Sequence, residues 1–225
     1  MSGPYFTSED SMTPKMVIFD CDGVLVDSET IGNKVLQRNL ARHGLERSLE
    51  KIMDMFVGGT IAGLMGEARK MGADLPDDWL GHIYPEIFEA LAQSVEMVPY
   101  IPLVLDALDE AGIVYAIGSN GPIRKMEITL GKTSLWDRFE GRVFSSHDCD
   151  APKPAPDVYL KAARLAGVDP CECVVIEDSA NGAQAAVAAK MPCYGYCAET
   201  PIDKLTPYCV STFDDMRDLP KFLGI

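Results

Sequence analysis

Basic residues are scarce in this sequence. Its 225 residues include 20 Lys and Arg against 34 Asp and Glu, so the formal net charge is −14 with histidine neutral. A protein that binds the phosphate backbone of nucleic acids needs a basic surface. We therefore expect no nucleic-acid partner.

Long apolar runs are also missing. No stretch approaches the ~20 consecutive apolar residues that a spanning helix requires, so we expect no membrane partner. The first ten residues, MSGPYFTSED, lack the basic and apolar regions of a secretory signal peptide. With 47% hydrophobic and 24% charged residues, the composition is typical of a globular protein with a sizeable core. We expect a cytoplasmic protein that is a monomer or a weak homo-oligomer.

Paired cysteine motifs are absent as well. There is no CxxC pair and no nearby pair of histidines at the spacing of a zinc site. An odd number of cysteines in this arrangement favours free, reduced thiols over a disulfide framework. The seven cysteines are Cys21, Cys149, Cys171, Cys173, Cys193, Cys197 and Cys209.

What the sequence does contain is an alternation of strand and helix patterns. Four short apolar runs end in small or polar residues, which is typical of buried parallel strands. These runs are 16–19, 113–118, 142–144 and 173–176. Helical patterns cover 102–111, 156–166 and 180–190. The alternation predicts an α/β fold with a doubly wound, Rossmann-like parallel sheet.

The domain organisation follows from where this alternation stops. Residues 1–15 are rich in Ser, Thr, Pro and acids and are predicted to be an N-terminal arm, either mobile or lying as a strap over the core. Residues 29–95 show helical periodicity without a convincing buried strand, which predicts an inserted all-helical cap. The α/β core then consists of 16–28 and 96–225. Two linkers that lie close together can act as a hinge for the cap.

Two pairs of carboxylates follow predicted strands. Asp20 and Asp22 end the first strand, and Glu177 and Asp178 end the last. Neighbouring carboxylates repel each other unless a cation compensates them. Oxygen ligands of this kind suit Mg²⁺. One pair alone is more typical of a solvated loop or a helix cap than of a metal site, but two pairs at equivalent strand ends favour a metal site.

Three further residues can hold an anion. Ser119 and Asn120 end the second strand and offer a hydroxyl and an amide, with a helix cap as the alternative role. Lys153 stands between two prolines, where a lysine is otherwise usually exposed. Together with the carboxylates, these residues suit phosphoryl transfer, because its catalysis depends on positioning and charge stabilisation.

Four segments resemble, in order, the four motifs of the haloacid dehalogenase (HAD) superfamily. The resemblance covers residues 16 to about 196, and the helical insert stands where the family has its C1 cap. The four segments are DCDGVLVDS at 20–28, Ser119-Asn120, Lys153-Pro154 with Pro156-Asp157, and IEDS at 176–179.

The resemblance implies catalytic roles for the first motif. Asp20 is then the nucleophile that forms an aspartyl-phosphate, a covalent intermediate. Asp22 is the acid that protonates the leaving alcohol and later activates the hydrolytic water.

The resemblance also implies the binding residues. Ser119, Asn120 and Lys153 hold the phosphoryl oxygens. Mg²⁺ is held by the Asp20 side chain, the Asp22 backbone carbonyl and Asp178. Glu177 is either a further metal ligand or a partner outside the ligand set.

Within the superfamily, the chain is most similar to the group that contains β-phosphoglucomutase and small sugar-phosphate phosphatases. Gly32 stands where the mutase has a histidine, and Ile61 follows the predicted turn Gly58-Gly59-Thr60 where the mutase cap has an arginine. These departures favour simple hydrolysis over the mutase reaction. The resemblance to the phosphatases of this group implies a sugar or sugar-acid phosphate as substrate, with 6-phosphogluconate as one candidate.

The alternatives are a β-phosphoglucomutase-type isomerase, a dehalogenase and a non-enzymatic binding protein. A dehalogenase does not need an aspartate at the Asp22 position. Because the carboxylates and Lys153 are all present, a non-enzymatic binding protein is the least favoured of these functions. For specificity, Asn33, Lys34, Lys125 and the predicted turn are the candidates.

Overall fold

The computed structural model of the protein describes residues 13–56 and 60–225. The predicted arm at 1–15 lies almost wholly outside the described residues. Gly58 and Gly59 of the predicted cap turn lie outside them too.

The described residues form eight strands and ten α-helices. The strands are β1 (Met16–Phe19), β2 (Val26–Asp27), β3 (Glu96–Met97), β4 (Val114–Ser119), β5 (Val143–Ser145), β6 (Cys173–Glu177), β7 (Cys193–Tyr196) and β8 (Ser211–Phe213). The helices are α1 (Glu29–Arg42), α2 (Leu49–Phe56), α3 (Ile61–Lys70), α4 (Trp79–Ser94), α5 (Ile101–Glu110), α6 (Ile123–Lys132), α7 (Asp157–Ala166), α8 (Ala180–Ala188), α9 (Ile202–Leu205) and α10 (Leu219–Leu223). No described helix has the length and apolar character needed to cross a lipid bilayer.

Six parallel strands form the central sheet, in the order β5–β4–β1–β6–β7–β8. β1 lies between β4 and β6, and all four of its residues are buried. Apolar side chains cover both faces of the sheet in two separate clusters. A strand with buried neighbours on both faces needs a continuous apolar run, which is the pattern of Met16–Phe19. The predicted α/β class with a parallel sheet is therefore confirmed.

Helices α1 to α4 lie in sequence between β2 and β3. α1 and α4 pack against each other through buried side chains such as Leu36, Leu40 and Ile87. The indole Nε1 of Trp79 donates a hydrogen bond to Asn39 Oδ1 at 2.8 Å inside this packing. The described part of 29–95 contains helices and no strand. Its separation from the core as a cap domain stays a prediction.

The two connections to these helices lie side by side. β2 and β3 form a two-stranded antiparallel sheet in which Val26 pairs with Met97 and Asp27 with Glu96. The chain therefore enters and leaves the helical segment at one place. This place is directly beside the loop that follows β1.

Candidate active site

Three neighbouring strands bring their polar ends to one edge of the sheet. Asp20 directly follows β1, Ser119 ends β4, and Glu177 ends β6. The backbone N–H of Asp20 donates to the carbonyl of Ile176 at 2.9 Å, which extends the ladder between β1 and β6. Because the carboxyl ends of parallel strands lie at the same edge, residues far apart in sequence meet here.

Lys153 lies at the centre of this cluster. Its Nζ is 2.7 Å from Asp20 Oδ1 and 2.6 Å from Glu177 Oε1, and only 5% of the residue is exposed. Asn120 fixes its backbone, because the Lys153 N–H donates to Asn120 Oδ1 at 2.9 Å. The lysine in the proline-rich loop is thus buried between two carboxylates.

Glu177 is completely buried, and both of its carboxylate oxygens accept hydrogen bonds. Oε1 accepts from Lys153 Nζ at 2.6 Å and from the Tyr159 hydroxyl at 2.8 Å. Oε2 accepts from the backbone N–H of Asp178 at 3.1 Å, and from the backbone N–H and the hydroxyl of Ser179 at 2.9 Å each. These bonds hold the carboxylate in one orientation and compensate its burial.

Two glycines make room for the acidic residues. A Cβ atom on Gly182 would lie 1.6 Å from Glu177 Oε1. A Cβ atom on Gly23 would lie 2.0 Å from Asp178 Oδ2, and Gly23 also has a positive φ of 76°. Only glycine fits at both positions without displacing a carboxylate.

Asp22 has partners of its own. Its Oδ1 is 2.7 Å from Lys125 Nζ, and the hydroxyl of Ser28 donates a short hydrogen bond to the same oxygen. The two side chains of the ion pair are partly exposed, 21% for Lys125 and 18% for Asp22, whereas the Lys153 side chain is 3% exposed. The Asp22–Lys125 ion pair is therefore more accessible to solvent than the ion pair of Lys153 with Asp20.

These surroundings move the pKa values of the two aspartates in opposite directions. Burial raises the pKa of Asp20 to about 7, although Lys153 opposes the change. Burial also acts to raise the pKa of Asp22, but Lys125 and Ser28 outweigh it and hold that pKa below its usual range. Two titratable groups whose pKa values are separated in this way are typical of an acid–base site.

Asp20, Glu177 and Asp178 form a cluster that can hold a cation. One carboxylate oxygen from each lies within 4.8 Å of the others. Burial raises the pKa of Asp178 well above its usual value, and the neighbouring Glu177 adds to this. Lys153 contributes one positive charge against three carboxylates, so a hard divalent cation with oxygen ligands fits the donor set and its charge. The Asp22 carboxylate is not a member of this cluster.

A cavity lies between these strand ends and helices α1 and α4. All seven residues predicted for the site line it: Asp20, Asp22, Ser119, Asn120, Lys153, Glu177 and Asp178. Thr60, the described member of the predicted cap turn, lines it as well. The remaining lining from the helical segment includes Glu29, Asn33, Leu36, Tyr84 and Phe88.

Sequence reasoning missed several contacts of the site. Ser28 and Tyr159 were not singled out as hydrogen-bond partners of the carboxylates. Lys125 was expected only as a specificity candidate, whereas the structure pairs it with Asp22. The signal for Lys125 is its position in the first turn of α6, directly after the loop that follows β4.

Comparisons with known proteins agree with this arrangement. A model of the haloacid dehalogenase-like hydrolases matches residues 14–190. A 6-phosphogluconate phosphatase of Escherichia coli (strain K12) is 28% identical over 207 residues, which cover 91% of this chain and 92% of that protein. Hexitol phosphatase B of the same strain is 32% identical over 193 residues, covering 80% and 83%. The crystal structure of a conserved haloacid dehalogenase-like protein of unknown function from Agrobacterium tumefaciens superposes with a TM-score of 0.80 at 30% identity, covering 93% of this chain and 97% of that one.

Proposed function

The chain belongs to the haloacid dehalogenase-like hydrolase family, and on that premise we propose that it is a Mg²⁺-dependent phosphatase of a small phosphorylated metabolite. The substrate class in this proposal is a sugar or sugar-acid monophosphate, and the relatives from Escherichia coli support it, since their names specify a sugar-acid phosphate and a sugar alcohol. The observation that carries the proposal is the contact between Lys153 Nζ and Asp20 Oδ1 at 2.7 Å, beside Asp178 in a cavity that the helical segment covers.

Asp20 is the nucleophile in this proposal. A carboxylate oxygen attacks phosphorus, the new O–P bond gives an aspartyl-phosphate, and the bond to the leaving alcohol oxygen breaks. Lys153, Ser119 and Asn120 bind the phosphoryl oxygens and stabilise the charge that develops on them. Lys153 is suited to this role because Asn120 holds its backbone N–H and Glu177 holds its ammonium in place.

Asp22 supplies and removes the protons. It donates a proton to the leaving alcohol oxygen and afterwards takes one from the water that hydrolyses the aspartyl-phosphate. Its low pKa means that it is ionised before substrate binds. A phosphate dianion beside it raises the pKa, so Asp22 takes up a proton from solvent as substrate binds and can then act as an acid. Lys125 and Ser28 keep its carboxylate oriented during both steps.

Mg²⁺ is held in the proposal by the Asp20 and Asp178 carboxylates and the Asp22 backbone carbonyl. When bound, the ion offsets the negative charge of the phosphoryl group and of the carboxylates. Glu177 lies outside the ligand set, since both of its oxygens already accept hydrogen bonds. Its role is to position Lys153 and the start of α8.

Phosphate release from a panel of sugar and sugar-acid phosphates tests this function. We expect release with Mg²⁺, none after chelation, and none from the Asp20→Asn variant with an unchanged circular dichroism spectrum. Full activity of that variant would refute the nucleophile assignment. Conversion of β-glucose 1-phosphate to glucose 6-phosphate with a bisphosphate primer, without phosphate release, would establish the isomerase alternative instead.

A further inference from the structure

Tyr159 contacts both members of a buried ion pair at the proposed site. It lies in the first turn of α7, shortly after the loop that carries Lys153, and is completely buried. Its hydroxyl donates to Glu177 Oε1 at 2.8 Å, and Lys153 Nζ lies over its ring at 4.8 Å from the centroid. Tyr159 is not part of the described cavity lining. Its influence on the site therefore runs through these two side chains.

The sheet fixes the position of the Tyr159 ring. A Cβ atom on Gly118 would lie 2.9 Å from Tyr159 Cδ1 and 3.0 Å from Cε1, so the ring packs directly on the backbone of β4. Gly118 immediately precedes Ser119, which ends that strand. The ring also belongs to the buried apolar cluster that includes Ile18 and Val175. A side chain enclosed in this way has little freedom to rotate, so its hydroxyl stays at Glu177.

The Tyr159 hydroxyl weakens the hold of Glu177 on Lys153. Burial raises the pKa of the phenol well above its usual value, and the charge of Glu177 adds to this, so the hydroxyl keeps its proton. Glu177 Oε1 therefore accepts from two donors, Tyr159 at 2.8 Å and Lys153 Nζ at 2.6 Å. The hydroxyl dipole offsets part of the negative charge of that oxygen and so reduces its attraction for the ammonium.

Lys153 shares its ammonium between two sides of the site. Its Nζ is 2.6 Å from Glu177 Oε1 and 2.7 Å from Oδ1 of Asp20, the proposed nucleophile. Without the Tyr159 hydroxyl, Glu177 would hold the ammonium more closely and draw it away from Asp20 and the phosphoryl oxygens. The ring of Tyr159 adds a cation–π attraction that keeps the ammonium over its face.

From these contacts we infer that Tyr159 is a positioning residue of the phosphatase, whose hydroxyl and ring set how the Lys153 ammonium is shared between Glu177 and the phosphoryl group at Asp20. The inference rests on the proposed function and adds to it a residue outside the cavity that acts through Lys153. Loss of the hydroxyl should slow phosphoryl transfer while the residues that line the cavity stay the same.

The variant Tyr159→Phe tests the hydroxyl, because it keeps the ring and its packing. With the ester that the wild-type protein hydrolyses fastest, we expect kcat/KM at saturating Mg²⁺ to fall at least about fivefold, with an unchanged circular dichroism spectrum. Tyr115→Phe is the matched control. Tyr115 is 2% exposed in β4, and its hydroxyl accepts a hydrogen bond from Arg138 Nε at 3.3 Å. This control should keep kcat/KM within about twofold of the wild-type value.

A double-mutant cycle separates positioning from structural support. Calorimetry measures the affinity for orthovanadate with Mg²⁺, since vanadate adopts the five-coordinate geometry of a transferring phosphoryl group. We expect Tyr159→Phe to weaken binding at least about fivefold in the wild-type background and less than about twofold in the Lys153→Arg background. Arginine keeps the charge but replaces the ammonium by a planar group with different donor geometry. Glu177→Gln, which removes the shared negative charge, is the background for the same cycle if Lys153→Arg does not fold.

The outcomes distinguish this inference from the proposed function. An unchanged kcat/KM of Tyr159→Phe would overturn the inference while leaving a phosphatase. Equal losses of orthovanadate affinity in both backgrounds would overturn it as well, because a structural defect acts independently of Lys153. A loss in Tyr115→Phe as large as that in Tyr159→Phe would have the same meaning. Absence of Mg²⁺-dependent phosphate release by the wild-type protein from every ester would overturn the proposed function itself.

Discussion

A methyl group on the backbone of Gly182 would lie 1.6 Å from Oε1 of Glu177. The first turn of α8 therefore approaches a buried carboxylate so closely that only a hydrogen atom fits between them. The same oxygen accepts a hydrogen bond from Lys153, which in turn contacts Asp20. The position of one helix is thus linked to the position of the proposed nucleophile.

The substitution Gly182→Ala should reduce both stability and activity. Alanine in a helix interior is normally favoured over glycine by about 1 kcal/mol. Here the clash with Glu177 should reverse the sign and cost about 1–3 kcal/mol. We expect kcat to fall at least about tenfold, since Lys153 loses its fixed partner. Urea denaturation and steady-state kinetics measure the two effects. Gly131→Ala in α6, where an added Cβ meets nothing within 4 Å, is the control and should retain activity.

Lys153→Met should be strongly destabilising. It leaves Glu177, which is completely buried, and Asp20, which is 8% exposed, without their shared cation. Removing one partner of a buried ion pair costs about 3–5 kcal/mol. Lys70→Met breaks the exposed pair with Glu67 and should cost about 0–1 kcal/mol. Equal unfolding free energies for the two variants would contradict the buried network.

The stability of the metal-free protein should fall as the pH rises from about 4 to about 7. Burial raises the pKa of Asp20 to about 7 from an ordinary value of 3.8, so the folded protein keeps a proton there that the unfolded chain has released. The contribution of this proton is complete below pH 4 and is lost as the pH rises through 7. Loss of this proton lowers the free energy of unfolding by as much as about 4 kcal/mol.

Urea denaturation in the presence of a chelator tests this pH dependence. The Asp20→Asn variant has no titratable group at that position. Its free energy of unfolding should therefore lack this part of the decrease with pH. If the free energy of unfolding of the wild-type protein rises relative to that of the variant as the pH increases over the same range, the prediction is wrong. Addition of Mg²⁺ at pH 7.5 should stabilise the wild-type protein more than the variant, because ligands that bind only the folded state raise its stability.

Asp178→Asn should weaken metal binding without changing the fold. The amide keeps the shape of the side chain, fits beside Gly23, and removes one negative charge from the carboxylate cluster. We expect the Mg²⁺ concentration for half-maximal phosphate release to rise at least about tenfold. Asp203→Asn, an exposed residue of α9, is the control. An unchanged Mg²⁺ requirement in the Asp178 variant would exclude this residue as a ligand.

The positions of the predicted site residues could be read from the sequence because they follow strands of one parallel sheet. The four predicted strands agree with β1, β4, β5 and β6 to within one residue at each end. β7 and β8 did not stand out, since Cys193–Tyr196 and Ser211–Phe213 mix apolar with glycine or hydroxyl residues and lie toward the edge of the sheet. A strand that is buried on both faces is easy to recognise from the sequence, whereas a strand near the edge of the sheet is harder to recognise.

The pairing of the site residues could not be read from local patterns. Lys153 in a proline-rich loop resembles an exposed lysine, and its burial depends on Asn120, Asp20 and Glu177 from three other segments. The contact of Tyr159 with Glu177 likewise depends on how α7 packs against the sheet. Such contacts arise from tertiary packing, which no single segment specifies.

The pairing of Asp27 with Glu96 places the two ends of the predicted cap beside each other. Backbone partners in an antiparallel pair lie about 5 Å apart, so a short turn could join the two ends without disturbing the six-stranded sheet. Strands, proposed nucleophile and proposed metal ligands would all remain on one side of that junction. Replacement of the helices by another insert would therefore change which alcohols are recognised while the chemistry of phosphate-ester cleavage stays in place. We therefore expect alcohol recognition and phosphate-ester cleavage to be separable by such a replacement.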